Sequence, residues 1–401
     1  MLGRIPGSKP PTIAQCESNP EFGVPCYGPP QYDVAYDMSS LFSAGDEGQG
    51  KTIVLVDAYG SPTIKSDLAA FDSGFGLPAP PSFQVIQPAG PVKGSNSSWA
   101  GETTLDVEYS HAMAPKANIL LVETPVNETI GTAGFPQIVK AEKYVLKHKL
   151  GDVISQSFGA AEETFPSAAS ITGLRGAYTL AAKDNVTVLA SSGDDGVSSA
   201  SNVAGTTFFG KKVVNWPASD PDVTGVGGTQ LHLNQAGDRT APDNVWNDSV
   251  LLGGPAAGSG GLSSVFGAPE YQSSVSSVVG TSRGVPDVSL SAAVDGAAII
   301  YEGGWTLVGG TSEASPLFAG IVAVADQVAG HDLGLLNPAL YSLGSGASGL
   351  PDITSGNNTV TVPTGSGEVK VKGYTAVTGY DLASGLGTVD GAKLVAELAG
   401  T

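Results

Sequence analysis

A serine at the head of a small-residue helix is the first residue in this chain that could do chemistry. The stretch VGGTSEASPLFAG, residues 308–320, reads as a glycine turn, then Thr311 and Ser312, then a helix running to about residue 330. Free backbone N–H groups and the helix dipole at such a terminus favour negative charge. A reaction at Ser312 that builds an oxyanion would profit from both. A serine hydroxyl still needs a base, and the chain has 4 histidines. His148 lies in the charged run KHK, His232 in the strand-like QLHLN, and His331 behind a helix-ending glycine. Only His111, in YSHAMAP, has other polar residues around it. All four read as surface or satisfied structural histidines.

Carboxylates are better candidates. In GETTLDVEYSHAMAP, Glu102 and Asp106 are four apart, which puts both on one face of a helix, one turn apart. Leu105, Ala112 and Met113 around them predict burial. Two buried carboxylates at this distance repel, so one pKa rises and the pair shares a proton. The competing reading is a solvated acidic face. A third carboxylate, Asp194 in LASSGDDG, follows a glycine at the end of an apolar run. Its neighbour Asp195 reads as an ordinary turn residue.

The elements that must carry these residues alternate regularly. Strands are expected at 52–60, 82–88, 117–125, 152–159 and 186–196, from runs such as TIVLVDAYG and ANILLVETP. Helices are expected at 63–76, 99–115, 135–149 and over SAASITGLRGAYTLAAKDN. Near-continuous apolar strands in a β-α-β rhythm predict an α/β fold, a parallel sheet with helices on both faces. Sites in such sheets form at the carboxyl ends of strands, where this chain places Gly, Asp and Ser. Residues 1–35, rich in Pro and Gly, read as a surface arm. Residues 196–310 read as β-structure and long loops, the helix at 311–330 as buried, and 345–380 as a loop-rich insertion before a last helix, DGAKLVAELAG.

Composition excludes several classes. The 401 residues carry 38 Asp+Glu against 19 Lys+Arg, a net −19. Nothing supplies the basic groove that nucleic acid requires, and no run of 18 apolar residues offers a membrane span. An acidic, lysine-poor surface suits either plain solubility or life in acid, where protonation limits self-repulsion. Cys16 and Cys26 are the only cysteines. They could close a small loop worth about 2–3 kcal/mol, in keeping with an oxidising compartment. Sequons at Asn96, Asn127, Asn185, Asn247 and Asn357 are compatible with that. Residues 1–15 contain no apolar signal core, so a secreted protein would be met here in processed form.

In this order, Glu-x-x-x-Asp on a helix, Gly-Asp at a strand end and Gly-Thr-Ser at a helix start, the chain resembles the sedolisin family of serine-carboxyl peptidases. Further matching segments include VDAYGSPTIKSDL, SQSFGAAE, WPASDPDVTGVGGTQL, GSGGLSSVFGAPEYQ, RGVPDVSL, DITSGNN and GYDLASGLGTVD, which together span about residues 30–400. The resemblance implies a subtilisin-like, doubly wound α/β fold as one catalytic domain over 36–401, behind an arm of 1–35. It implies an acid-active peptidase, endopeptidase or tripeptidyl-peptidase, with Ser312 as nucleophile, Glu102 as base, Asp106 as its partner and Asp194 as the oxyanion-side acid. SQSFG would pair with the substrate backbone, and GSGG would form the opposite wall. It also implies one structural calcium ion in the region of about 345–390, held by Asp352, Ile353, Val377, Gly379 and Asp381.

Implied partners are polypeptide substrates and a prosegment of its own, as inhibitor and chaperone, in a secreted or acidic compartment. No nucleic acid or membrane partner is expected, and the chain should be a monomer. Three departures stand out: no prosegment precedes the arm, SPTIK after VDAYG lacks the extra glutamate of some kumamolisins, and Val377 replaces a common glycine. A histidine-dependent subtilase would need an HGTH-like setting, which is missing; without it, Asp57 has no triad to join. Phosphate-binding glycine motifs are missing too. The remaining alternative is a non-catalytic binding relative on the same fold.

Overall fold

The apolar run TIVLVDA becomes the strand Thr52–Ala58, with parallel neighbours on both edges. Its register is continuous with Asn118–Thr124 on one side and Val153–Gln156 on the other. The sheet continues outward to Phe83–Ile86 at one edge. In the other direction it runs through Thr187–Ser191 and Thr224–Gln230 to the antiparallel pair with Asn244–Val245, while Val288–Ser291 also pairs in parallel with Thr224–Gln230. The computed structural model describes residues 1–400. Among them no helix is long and apolar enough to cross a membrane.

Side chains alternate across this sheet, so every central strand must be apolar on both faces. Ile53, Leu55, Ile119 and Leu121 enter the larger core, whereas Val54, Val56, Leu120 and Val122 enter the other. The helix Phe135–His148 covers the smaller core through Phe135, Ile138, Val139 and Val145. The larger core is filled by two helices that carry the candidate site, Ser97–Met113 and Thr311–Ala329. They touch closely: a Cβ on Gly320 would lie 2.4 Å from Cβ of Met113. Only glycine allows that approach, and it fixes one helix against the other.

Two expectations need correction. The segment 167–185 is not one helix but two, Ala168–Thr172 and Tyr178–Lys183. Gly173 and Gly176 fall between them and weaken a continuous helix. Nor does the stretch 1–35 merely lie on the surface. Tyr27 and Tyr32 are buried in the larger core, and the Tyr32 hydroxyl donates to Glu313 Oε1 at 2.6 Å. Cys16 and Cys26 are joined by a disulfide. Two short strands of this stretch complete a second sheet in the order Gly3–Arg4, Trp305–Val308, Ala297–Tyr301, Cys26–Tyr27. Trp305–Val308 is the strand that leads, through Gly309 and Gly310, into the helix beginning at Thr311.

Candidate active site

The helix Ser97–Met113 is capped by the Asn96 side chain, which accepts from the N–H groups of Ser98 and Trp99. Such a cap contributes about 1 kcal/mol. From Ala100 to Met113 every residue is buried except Glu102. The helix Thr311–Ala329 repeats the pattern: from Thr311 to Asp326 every residue is buried except Ser312. Each of these two buried stretches thus opens at one residue. The Ser312 hydroxyl lies near the Glu102 carboxyl and favours its ionised form. Loose contacts of this kind are usual before substrate binds.

Behind Glu102 stands a chain of carboxyls. Asp106 and Asp57 are 0% and 1% exposed, and they lie close enough to share a proton. Burial pushes up the proton affinity of all three. For Glu102 the Ser312 hydroxyl opposes that shift and the charges of Asp57 and Asp194 add to it; for Asp106 the charges of Asp57 and Glu102 add. Asp57 is the residue that sequence reasoning set aside for want of a histidine. It needs none, because its partner is another carboxyl. The signal was present, an acid at the carboxyl end of a central strand.

Ser157 was also missed as an individual residue. Pro316 has no N–H, so the carbonyl of Ser312, four residues earlier, lacks its helical donor. The Ser157 hydroxyl reaches that carbonyl at 3.4 Å and Asp106 Oδ1 at 2.8 Å. It has one proton for two acceptors. The shorter bond to Asp106 is the stronger one, and the Ser312 carbonyl receives the weaker contact.

Asp194 follows the strand Thr187–Ser191 and meets the other side of the turn before Ser312. Its Oδ1 accepts from both the N–H and the hydroxyl of Thr311, each at 2.8 Å. Gly193 N–H in turn donates to Thr311 Oγ1 at 3.0 Å. Burial raises the proton affinity of Asp194, and the Thr311 bonds partly offset it. Gly310 is required here. Its φ is +134°, and a Cβ would stand 2.6 Å from Asp194 Oδ2. A cleft of about 220 Å³ opens beside Asp194 and Ser312, walled by Ser157, Phe158 and Gly159 on one side and Asn215 on another. Larger hollows elsewhere hold none of these residues. Of GSGG, Ser259 is tied to the cleft floor, its N–H donating to the Gly193 carbonyl at 2.9 Å.

The histidines play no part at this site. His111 is buried, with Nε2 2.8 Å from the Pro78 carbonyl and 3.3 Å from Asp72 Oδ1. A second cluster gathers the remaining site candidates. Asp352 Oδ2 accepts from Gly379 N–H at 2.8 Å, and Asp381 Oδ2 from Val377 N–H at 2.9 Å. Among the described residues, the carbonyl oxygens of Ile353, Val377 and Gly379 accept no hydrogen bond. Carboxylate and free carbonyl oxygens are the donor type a hard cation such as calcium takes, though both carboxylates here also accept from protein groups, Asp381 Oδ1 from Ala383 and Ser384 and Asp352 Oδ1 from Ser345.

Residues 89–339 match the model of the subtilase family of peptidases. Kumamolisin from Bacillus sp. (strain MN-32) is 34% identical over 381 residues, covering 91% of this chain and 63% of that protein. Sedolisin from Pseudomonas sp. (strain 101) is 33% identical over 380 residues, covering 92% of this chain and 61% of that one. The chain therefore spans about three fifths of the length of these relatives. Among solved structures, Pseudomonas sedolisin, a serine-carboxyl proteinase complexed with two molecules of pseudo-iodotyrostatin, superposes with a TM-score of 0.79 at 29% identity. That match covers 94% of this chain and 99% of the other. An S41 psychrophilic protease, 17% identical with a TM-score of 0.51, shares the fold. By family model, relatives and architecture, the chain belongs to the subtilase family, as one of its sedolisin-type members.

Proposed function

We propose that the chain is an acid-active serine-carboxyl peptidase. The observation that carries this reading is the nearness of Ser312 to Glu102, each the one residue that opens in a buried helical stretch, 311–326 and 100–113. Ser312 attacks the scissile carbonyl and passes its proton to Glu102. Asp106 and Asp57 hold the Glu102 charge in a shared-proton chain, so the base gains a proton without leaving an isolated buried charge. The tetrahedral oxyanion receives the Ser312 backbone N–H and the protonated carboxyl of Asp194, each such donor being worth about 3 kcal/mol. Glu102 returns its proton to the departing amine, and water then hydrolyses the acyl-enzyme by the same route.

Polypeptides are the proposed substrates, held along Ser157–Gly159, in a secreted or acidic setting, with a prosegment as inhibitor and folding aid. Asp352, Asp381 and the carbonyls of Ile353, Val377 and Gly379 would hold one calcium ion. Bound there, it would tie together two loops by charge and take no part in proton transfer. The test is hydrolysis of casein at pH 4 by wild type, Ser312→Ala and Glu102→Gln. Wild type should turn over, Ser312→Ala should lose at least about 10⁴-fold, and Glu102→Gln about 10³-fold. Full activity in Glu102→Gln would remove the carboxylate base from the account.

A further inference from the structure

The strand that delivers Ser312 has its outer edge covered by the first residues of the chain. Leu2 N–H donates to the Leu307 carbonyl at 2.8 Å and Ile5 N–H to the Trp305 carbonyl at 2.9 Å. Gly3 stands opposite Leu307 and Arg4 opposite Thr306, antiparallel. Because the pairing is antiparallel, Met1 lies beyond Gly3 towards the Ser312 end of that strand. The Met1 side chain confirms the placement from another direction. A Cβ on Gly101, the residue before Glu102, would meet Met1 Sδ at 2.7 Å. The stretch is fastened unevenly: Ile5 is buried in the larger core and Arg4 reaches the Glu302 carbonyl at 2.8 Å, while Met1, at the end nearest Ser312, is 65% exposed.

The open cleft is lined by Ser157–Gly159, Asp194 and Asn215, and by none of Met1, Gly101 or Trp305–Val308. One flank of Ser312 is therefore free and the other is covered. An extended peptide bound across Ser312 needs both flanks, and an uncovered strand edge is a template for an extended peptide. We infer that residues Met1–Ile5 form a strap that competes with the leaving-group half of a peptide substrate for the edge of Trp305–Val308. The inference rests on the peptidase reading. The strap is a strand in the place where substrate would add as one, anchored at Ile5 and exposed at Met1, so that substrate displaces its exposed end at the cost of its docking equilibrium. If it is docked nine-tenths of the time, apparent affinity falls about tenfold.

Binding, measured without turnover, tests this. In a Ser312→Ala background, a fluorescent decapeptide of casein sequence spanning a cleaved bond is titrated at pH 4, beside the pentapeptide that ends at that bond. Leu2→Pro/Ile5→Pro removes both strap donors. The decapeptide should then bind about tenfold more tightly, with the pentapeptide unchanged. Arg4→Ala, which only loosens the strap, should give a smaller gain of the same kind. Unchanged decapeptide affinity in both variants would overturn the strap, as would an equal change for both peptides. If neither peptide binds any variant, the peptidase reading fails rather than the strap. A large loss of melting temperature in the double proline variant transfers the decision to Arg4→Ala, whose backbone is intact.

Discussion

Glu142 makes the fold's dependence on acid measurable. It sits in the helix Phe135–His148, is 1% exposed, and has a partner at neither carboxylate oxygen. Burial pushes its pKa from 4.5 to about 8, which Lys143 lessens. The folded state therefore holds this proton more tightly than the unfolded state. Its contribution is fully present below the unfolded value and is lost as pH rises towards the folded one. Between pH 4.5 and 8 the slope is about 1.4 kcal/mol per pH unit. Over that window the ceiling is about 5 kcal/mol, a large part of an ordinary domain's stability. The perturbation is Glu142→Gln, which cannot ionise. Urea denaturation in a Ser312→Ala background, from pH 4 to 8, should show wild-type stability falling with pH. The variant should fall less steeply, by about one proton's slope. Its stability at pH 4 can be lower, since a buried amide also lacks partners, so the slope is the readout. Parallel curves would refute the reasoning.

Other variants separate the roles within the carboxyl chain. Asp106→Asn should cost about 10–100-fold in kcat/KM, less than Glu102→Gln, because it removes the base's partner and not the base. Asp57→Asn should cost less again while moving the acid limb of the pH–rate profile, and an unmoved limb would take Asp57 out of the proton chain. Ser157→Ala should lower kcat more than it raises KM, since its hydroxyl holds Asp106 and the Ser312 carbonyl. Stripping divalent ions with EDTA should lower the melting temperature by about 5–10 °C, and calcium should restore it. Asp381→Asn should abolish that response, and a response that persists would place the ion elsewhere.

Much of the site was legible because strand ends and helix starts announce themselves. Glycine before Thr311 and apolar runs before Asp57 and Asp194 fixed where chemistry could stand. The Glu102–Asp106 spacing predicted a shared face, and burial of Asp106 follows from a helix with no polar side. Asp57 was misjudged because its partner was sought among histidines, and contacts between strand and helix carry no sequence spacing. Ser157 escaped because its role arises from Pro316, whose missing N–H matters only once the two segments meet. The tyrosines of the first 35 residues looked like surface in a Pro- and Gly-rich stretch. Inside the core the Tyr32 hydroxyl is met by Glu313 and the Tyr27 hydroxyl by the Leu231 carbonyl, partners too distant in sequence for any local pattern to show.

The most direct measurement is kcat/KM on a peptide substrate from pH 3 to 8, for wild type and Asp194→Asn. Burial raises the proton affinity of Asp194, so its carboxyl donates to the oxyanion in acid. As pH rises it ionises and instead opposes the developing charge. Glu102 must still accept a proton, so activity should also decline at the acid extreme. The account predicts a bell lying wholly below neutrality for wild type. Asp194→Asn should be about 10²-fold weaker at the optimum yet lose less of its own activity as pH rises, since an amide donates at every pH. A wild-type optimum at pH 7.5 or above, or an Asp194→Asn profile that falls as steeply as wild type, would contradict the carboxyl-based mechanism.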